Sequence, residues 1–217
     1  MSTIERRTPN GKVTGTCDSR FSGILDAFVE NFAARDELGA SLCLTLEGKV
    51  VVDLWGGPKA PGGEPWDAQT VSIVYSSTNG RGLAGLYAPL ANGGEAAGVR
   101  LVGADTLTRM SRVSVATRDD ATLRIPTRFS LGFMKSMDNR ALPNADDCSV
   151  LISESAFGHV GAGGSIGFAD PECKMSFGYA MNRMGAGILL NDRGQSLIDA
   201  AYRALGYRSN ASGAWSL

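Results

Sequence analysis

Two pairs of alternating segments constrain the fold of this chain most strongly. Near its end, residues 166–169 and 175–181 flank a turn that contains Pro171, and apolar side chains fill every second position of the later segment. Nearer the start, residues 42–46 and 50–55 alternate in the same way around a Glu-Gly turn. Apolar residues with a period of two on both sides of a turn are typical of a β-hairpin with one buried face. The chain is therefore predicted to contain a largely antiparallel sheet.

Three other segments have the apolar spacing of amphipathic helices. They cover residues 21–34, the segment from Gly80 to about Asn92, and the segment from about Gln195, which Gly206 ends as a C-cap. Apolar residues three and four positions apart form one face of a helix. The predicted fold class is therefore α/β in the broad sense (α+β), with a mostly antiparallel sheet flanked by helices on both faces.

The remaining segments give weaker signals. Residues 1–19 are predicted to be a flexible lead-in, and residues 20–217 a single domain. Between the clear elements, the patterns indicate four further features: a short strand at 101–102, a helix that Asp105 caps, a polar loop over 115–127 and a short strand over 129–134.

Length, charge and cysteine spacing exclude several classes of protein. The chain has 217 residues, of which 21 are basic and 22 acidic, and its formal net charge is −1. This balance implies neither a nucleic-acid partner nor an anionic membrane surface. No run approaches the roughly 18 apolar residues of a membrane span, and the polar start lacks an apolar signal-peptide core. The four cysteines are far apart, which is typical of reduced thiols, so we expect a cytoplasmic protein.

A cluster of hydroxyl groups precedes the second predicted helix. The apolar residues Val71, Ile73 and Val74 lead into Ser76-Ser77-Thr78, and the helical pattern begins at Gly80. The start of a helix has unpaired N–H groups and the positive end of the dipole, so a hydroxyl there serves either as an N-cap or as a nucleophile whose developing charge is stabilised.

The segment from Phe157 to Pro171, which contains Gly-His-Val-Gly-Ala-Gly-Gly-Ser, resembles the third active-site motif of the serine β-lactamase/transpeptidase superfamily. The resemblance is greatest to its class C-related, family VIII-type esterases. Residues 76–80 are similar to the Ser-Ser-Thr-Lys-Gly segment that carries the nucleophile in this superfamily, with Asn79 where the family has its catalytic lysine.

This resemblance implies a set of roles. Ser76 is the nucleophile that forms an acyl-enzyme with a small ester or amide, and no cofactor is implied. The N–H groups of Ser76 and Ala162 form the oxyanion hole, and the substrate cleft is lined by His159, Gly161 and Gly163.

Two groups that handle the proton of the nucleophile are missing. Asn79 cannot act as a base, because an amide neither gains nor loses a proton near neutral pH. The Tyr-x-Asn motif of the family's helical domain is absent from the chain. Catalytic groups act as a unit, so activity is expected to be impaired, and a non-catalytic pseudoenzyme that binds a ligand or partner is the alternative.

The resemblance divides into two blocks, 20–78 and 79–217, without the large helical domain that separates them in the family. An internal deletion, natural or from gene prediction, is therefore expected near Thr78-Asn79. Such a deletion is expected to uncover apolar residues of the helix after Gly80, which implies poor solubility or self-association. The residues expected to be uncovered are some of Leu83, Leu86, Tyr87 and Leu90.

Three other motifs compete for a function, and each is disfavoured. Residues 163–167 fit Gly-x-Ser-x-Gly, but the nucleophile elbow needs a helix after Ser165, and the sequence there alternates as a strand. His159 is the single histidine and has no neighbouring cluster of metal ligands. The glycines of 161–167 lack the Gly-Lys-Ser/Thr of a phosphate loop.

Overall fold

The computed structural model describes residues 1–72, 79–143 and 148–217. Its strands are β1 (Ser2–Thr8), β2 (Gly11–Cys17), β3 (Ala40–Leu46), β4 (Lys49–Gly56), β5 (Glu95–Ala96), β6 (Val99–Arg100), β7 (Val115–Thr117), β8 (Thr127–Phe129), β9 (Phe157–Val160), β10 (Ile166–Asp170) and β11 (Met175–Met181). Seven of them form one antiparallel sheet in the order β1-β2-β4-β3-β11-β10-β9. The pairs β5-β6 and β7-β8 form two small hairpins.

Four α-helices accompany the sheet: α1 (Ser22–Ala34), α2 (Gly80–Ala91), α3 (Ala104–Ser111) and α4 (Asp192–Ala204). Helices α1 and α4 pack together over one face, where the rings of Phe168, Phe177 and Tyr202 form the middle of the main core. Helix α2 lies on the other face and packs against β3, β10 and β11. Both faces of the central strands are therefore buried, which explains why every residue of β10 and β11 is buried.

The structure confirms the predicted fold class and the main elements. Both predicted hairpins are present as β3-β4 and β10-β11, and the three predicted helices are α1, α2 and α4. Gly206 follows α4 with a φ of 93°, a left-handed conformation that glycine adopts without strain and that is common after helix ends.

The prediction that residues 1–19 form a flexible lead-in is wrong. They contain β1 and β2, and β2 pairs with β4, which extends the sheet at this edge. Val13 and Cys17 are buried against the core, whereas β1 is largely exposed. The polar composition of this segment reflects a hairpin at the edge of the sheet with one solvent-exposed face, rather than an unstructured tail.

The four local predictions in the middle of the chain need correction, although the predicted helix is present as α3. Residues 101–102 lie after the β5-β6 hairpin and are not a strand. The N-cap of α3 is Gly103, and Asp105 lies inside the first turn, where its charge favours the helix dipole. The predicted loop 115–127 and strand 129–134 are replaced by the β7-β8 hairpin, whose short, exposed first strand has no apolar periodicity to reveal it.

A buried ionic cluster ties the helical layer to the sheet. The guanidinium of Arg193 on α4 donates to Glu37 at 3.2 Å, and the hydroxyl of Tyr179 on β11 donates to the same carboxylate. All three side chains are almost fully buried. Burial raises the pKa of Glu37, while Arg193 and Tyr179 act in the opposite direction. Removing any one of the three side chains would leave a buried charged or polar group without its partner, which would lower the stability of the folded state.

Candidate active site

Ser76, the predicted nucleophile, lies outside the described residues, as do all residues from 73 to 78. The candidate site can therefore be built from its two described sides. One side is the start of α2, which follows the nucleophile segment after Asn79. The other is the turn between β9 and β10, which carries the remaining predicted site residues.

Asn79 is the N-cap of α2. Its backbone is extended (φ −132°, ψ 168°), its side-chain Oδ1 accepts from the N–H of Gly82 at 2.7 Å, and its carbonyl accepts from the N–H of Leu83 at 2.9 Å. The helix begins after this residue, so position 79 lies at the helix start and not inside it. Capping was predicted only for the hydroxyl cluster of residues 76–78. Asn directly before a helical pattern is itself a capping signal, and it could have been recognised.

Glycines let the backbone of the first turn of α2 pack directly against the backbone of the sheet. A Cβ at Gly178 of β11 would lie 2.2 Å from the carbonyl oxygen of Gly80, and a Cβ at Gly80 would lie 2.8 Å from the carbonyl oxygens of Gly178 and Ser41. The hydroxyl of Ser41 accepts from the N–H of Gly80 at 3.0 Å. These close contacts leave no room for side chains, so the end of the nucleophile segment is anchored against β3 and β11.

His159 lies on the same face of the sheet as α2. Gly178 pairs with Gly167, and Gly167 pairs with His159, so these residues form one row across β11, β10 and β9. Paired residues share a face, and Gly178 contacts the start of α2. With a strand spacing of about 4.8 Å, His159 lies roughly 10 Å across the sheet from that contact. The side chain is exposed.

The tautomer of His159 follows from one contact. Its Nδ1 lies 2.7 Å from the carbonyl oxygen of Val160, and because a carbonyl only accepts, Nδ1 carries a proton. In the neutral ring, Nε2 is then unprotonated and can accept a proton or a hydrogen bond.

The β9-β10 turn is held in a shape that only glycines permit. Gly163 and Gly164 have φ values of 88° and 110°, and the N–H of Gly161 donates to the carbonyl of Ser165 at 2.8 Å. The amide of Asn191 donates to the carbonyl of Gly163 at 2.9 Å. The turn is thus fixed from both sides.

Ala162 occupies this turn and is half-buried. Its backbone N–H donates to no acceptor in the described part of the chain. A fixed turn with a free N–H is what an oxyanion-binding donor requires.

Ser165 is not placed as a nucleophile. It is 1% exposed, and it is followed by β10 rather than by a helix, so residues 163–167 do not form a nucleophile elbow. Its hydroxyl is buried and has no hydrogen-bond partner among the residues that the structure describes.

Lys135 does not replace the missing family lysine. It is 2% exposed and interacts electrostatically with Glu154 and Asp170, and burial lowers its pKa to about 8. Asp170 is the last residue of β10, and Ile166, the first, lies next to the 161–164 turn. The four residues between them correspond to about 13 Å along the strand. Lys135 therefore lies toward the opposite end of the sheet from the candidate site.

The described residues contain no group of three or more His, Cys, Asp or Glu side chains placed to hold a metal ion. Within the same residues, no helix combines the length and apolar character that crossing a membrane requires.

Known proteins resemble this chain in part of its sequence and in its fold. No family model matches it. A segment of 112 residues is 33% identical to the esterase/β-lactamase LipL of Mycobacterium tuberculosis (strain ATCC 25618 / H37Rv), and it covers 52% of this chain and 23% of that protein. The chain thus spans about a quarter of the length of this curated relative.

Two solved structures extend the comparison to the whole fold. A family VIII carboxylesterase has a TM-score of 0.77 at 21% sequence identity, with 88% of this chain and 99% of that chain covered. A penicillin-binding protein homologue from Caulobacter crescentus has a TM-score of 0.78 at 18% identity, with the same coverage. The chain has the β-lactamase/transpeptidase fold. The β-lactamase/transpeptidase-like fold expected from the resemblance of residues 76–80 and 157–171 is therefore confirmed.

Gly161, Ala162 and Gly163 lie in the turn between β9 and β10, and their predicted roles in the cleft stay predictions. The contribution of Ser41, whose hydroxyl binds the first N–H of α2, was missed. Ser41 is one position of an alternating strand, and nothing in the sequence indicates that α2 begins above it.

Proposed function

We propose that this chain is a β-lactamase-related serine hydrolase of the esterase type, which acts on a small ester or amide through an acyl-enzyme at Ser76. One observation carries the proposal. The start of α2 at Gly80, four residues after Ser76, lies on the same face of the sheet as His159 and is anchored there by Ser41 and Gly178. The esterase and β-lactamase names of the similar proteins agree with this reaction class.

Turnover by this chain is reduced relative to a complete family member. Asn79 supplies an amide in place of an amine, and its side-chain oxygen is already bound to Gly82. The internal deletion near residue 79 removes the Tyr-x-Asn motif as well. Losing the base typically leaves on the order of 10³-fold acceleration over water, which comes from oxyanion stabilisation and binding.

His159 is the residue that best supports the remaining proton transfer. Its Nε2 is unprotonated in the neutral ring and its side chain is exposed on the face that carries α2. We assign it the role of a weak base or hydrogen-bond acceptor toward the substrate, beside the oxyanion donors of Ser76 and Ala162. Gly161 and Gly163 complete the cleft.

Covalent labelling tests the nucleophile. The protein is incubated with a fluorophosphonate and its intact mass is measured, beside Ser76→Ala as the control. A single adduct that is lost in Ser76→Ala supports the proposal, and His159→Gln is expected to slow labelling without abolishing it. No adduct on a folded protein would show that the chain keeps the fold without the chemistry.

The matched pair Asn79→Lys and Asn79→Ala separates base loss from cap loss. Both variants remove the cap of α2, but only the lysine restores an amine at the family position. Faster labelling in Asn79→Lys than in Asn79→Ala supports an activity limited by the missing base. Equal rates mean that position 79 does not reach Ser76.

A pseudoenzyme is the second candidate, because Asn79 is used to cap α2 rather than to activate a nucleophile. In that case the chain binds an acyl compound or a partner without turnover. Leu86 of α2, which is 62% exposed, is available for self-association, whereas Leu83, Tyr87 and Leu90 are buried. We retain the cytoplasm as the proposed location of either form.

A further inference from the structure

A separate cavity of about 470 Å³ lies at the other edge of the sheet. It is enclosed by the β1-β2 hairpin and by the loop that follows β4, and its lining includes Arg7, Asn10, Lys12, Pro58, Pro65 and Trp66. In the strand order, β2 is five strands from β9, which corresponds to about 24 Å. This cavity is therefore distinct from the candidate active site, and its volume suits a small organic molecule.

Trp66 lines this cavity and has a hydrogen-bond donor that none of the described residues uses. The residue is 5% exposed, its backbone N–H donates to the carbonyl of Gly57 at 2.8 Å, and its ring packs over Gly39. Its indole Nε1 is buried and has no hydrogen-bond partner in the described part of the chain. An indole nitrogen can only donate, and a buried donor without an acceptor destabilises the folded protein. A ligand oxygen at this nitrogen would remove that destabilisation.

Two cations lie side by side in the same lining. Arg7 and Lys12 are paired in the β1-β2 register, so their side chains share one face. Lys12 forms an exposed ion pair with Glu5 at 2.9 Å, whereas the guanidinium of Arg7 makes no hydrogen bond or ion pair to the described residues. Lys12, and more weakly Arg7, lower the pKa of Glu5. The lining thus carries one net positive charge, and its free guanidinium matches a carboxylate in geometry.

The other side of the cavity is apolar. Pro58 and Pro65 face each other in an isolated bridge, and the ring of Trp66 adjoins them. The loop between the prolines, residues 59–64, is exposed to solvent. The occupant therefore needs a carboxylate at one end and an apolar body at the other.

We propose that this cavity binds a small carboxylate with an apolar body. Its oxygens accept from the guanidinium of Arg7 and, when the exposed loop 59–64 shifts, from the indole Nε1 of Trp66, while its body packs on Pro58 and Pro65. Such a molecule is chemically of the kind that ester hydrolysis releases. The binding site itself does not depend on the proposed hydrolase activity.

Calorimetric titration with sodium benzoate tests this site, in Ser76→Ala so that binding at the catalytic serine does not contribute. Saturable binding is expected, with much weaker binding of benzamide, which has the same ring without the charge. Trp66→Phe keeps the ring and loses the donor, and Arg7→Gln loses the charge. Each is expected to weaken benzoate about tenfold, the value of one hydrogen bond to a charged group.

Arg6→Gln is the matched control, because Arg6 is the neighbouring exposed arginine and does not line the cavity. It is expected to leave benzoate affinity unchanged. Three outcomes overturn the proposal: no saturable benzoate binding, equal affinity for benzamide, or full affinity in a folded Arg7→Gln variant. The last of these decides the case even where Trp66→Phe fails to fold.

Discussion

The close contact between Gly178 and the first turn of α2 makes Gly178→Ala an informative substitution. Gly178 lies in the middle of β11 and its backbone touches the first turn of α2. An added methyl group would lie 2.2 Å from the carbonyl oxygen of Gly80 and 2.6 Å from Cβ of Leu83. Ordinary contacts begin near 3.4 Å, so both neighbours are more than 0.7 Å too close. The first of them is backbone and cannot rotate away.

The magnitude follows from the way in which the clash can be relieved. The first turn of α2 must lift from the sheet by roughly 1 Å, which forfeits a quarter to a half of the dispersion energy of each affected contact. The hydrogen bond from Gly80 to Ser41 would stretch as well. Overpacking of a core costs about 1–3 kcal/mol, and a clash with backbone belongs at the upper end, so about 3 kcal/mol is expected.

Urea denaturation, followed by circular dichroism, measures this cost. With a typical slope of about 2–3 kcal/mol per molar urea, the midpoint should fall by about 1 M. Labelling of Ser76 by fluorophosphonate should slow in parallel, because the anchored end of its segment moves. A variant as stable as the natural chain would refute the proposed seating of α2.

Gly85→Ala is the matched control for this substitution. Gly85 lies in the exposed middle of α2, and a Cβ there would meet nothing within 4 Å. Alanine inside a helix restricts the unfolded chain, so this variant should be more stable by about 0.5–1 kcal/mol. The same glycine-to-alanine change is therefore expected to lower stability beneath the packed face of α2 and to raise it on the exposed face.

Other perturbations test the buried ionic cluster and the outer face of α2. Burial raises the pKa of Glu37 above its usual 4.5, so the folded state holds this proton more tightly and unfolding free energy should fall as pH rises above 4.5. Glu37→Gln should flatten this decline in urea titrations, and an unchanged slope would contradict the assignment. Arg193→Met removes the cation that pairs with Glu37 and should lower the free energy of unfolding by about 3–5 kcal/mol. Arg183→Met, in an exposed pair, should lower it by less than about 1 kcal/mol. Equal losses in denaturation would exclude a special role for the buried pair. Leu86→Lys should reduce the mass seen by light scattering, unless the natural chain is already a monomer at tens of micromolar.

Local patterns predicted the elements whose two faces differ or whose ends carry clear signals. The alternation in β3-β4 and β10-β11, the apolar stripes of α1 and α4, and Gly206 after α4 are all visible in short windows of sequence. The hairpins β1-β2 and β7-β8 were missed because their strands lie at edges or outside the main sheet and are largely exposed. Pairing with a neighbouring strand, rather than an apolar pattern, makes them strands.

The candidate site shows the same division. The glycine-rich segment 161–164 indicates a tight turn by composition alone, and the resemblance assigned its residues to a cleft. The role of Asn79 as the cap of α2 depends on where the helix begins, and the binding of Ser41 to Gly80 depends on which strand lies beneath it. Contacts between residues about forty positions apart have no local signal in one sequence.

The sequence by itself determined the two hairpins, the amphipathic helices and the absence of an ionisable group at position 79, because each of these follows from side-chain chemistry within a few residues. Tertiary structure alone decided that α2 rests on Gly178 and that Lys135 lies toward the far end of the sheet. It also decided that Trp66 lines the same cavity as Arg7, with no acceptor for its indole among the described residues. The physical reason is that burial, register and desolvation belong to the packed sheet, where distant segments come into contact and change what each side chain can do.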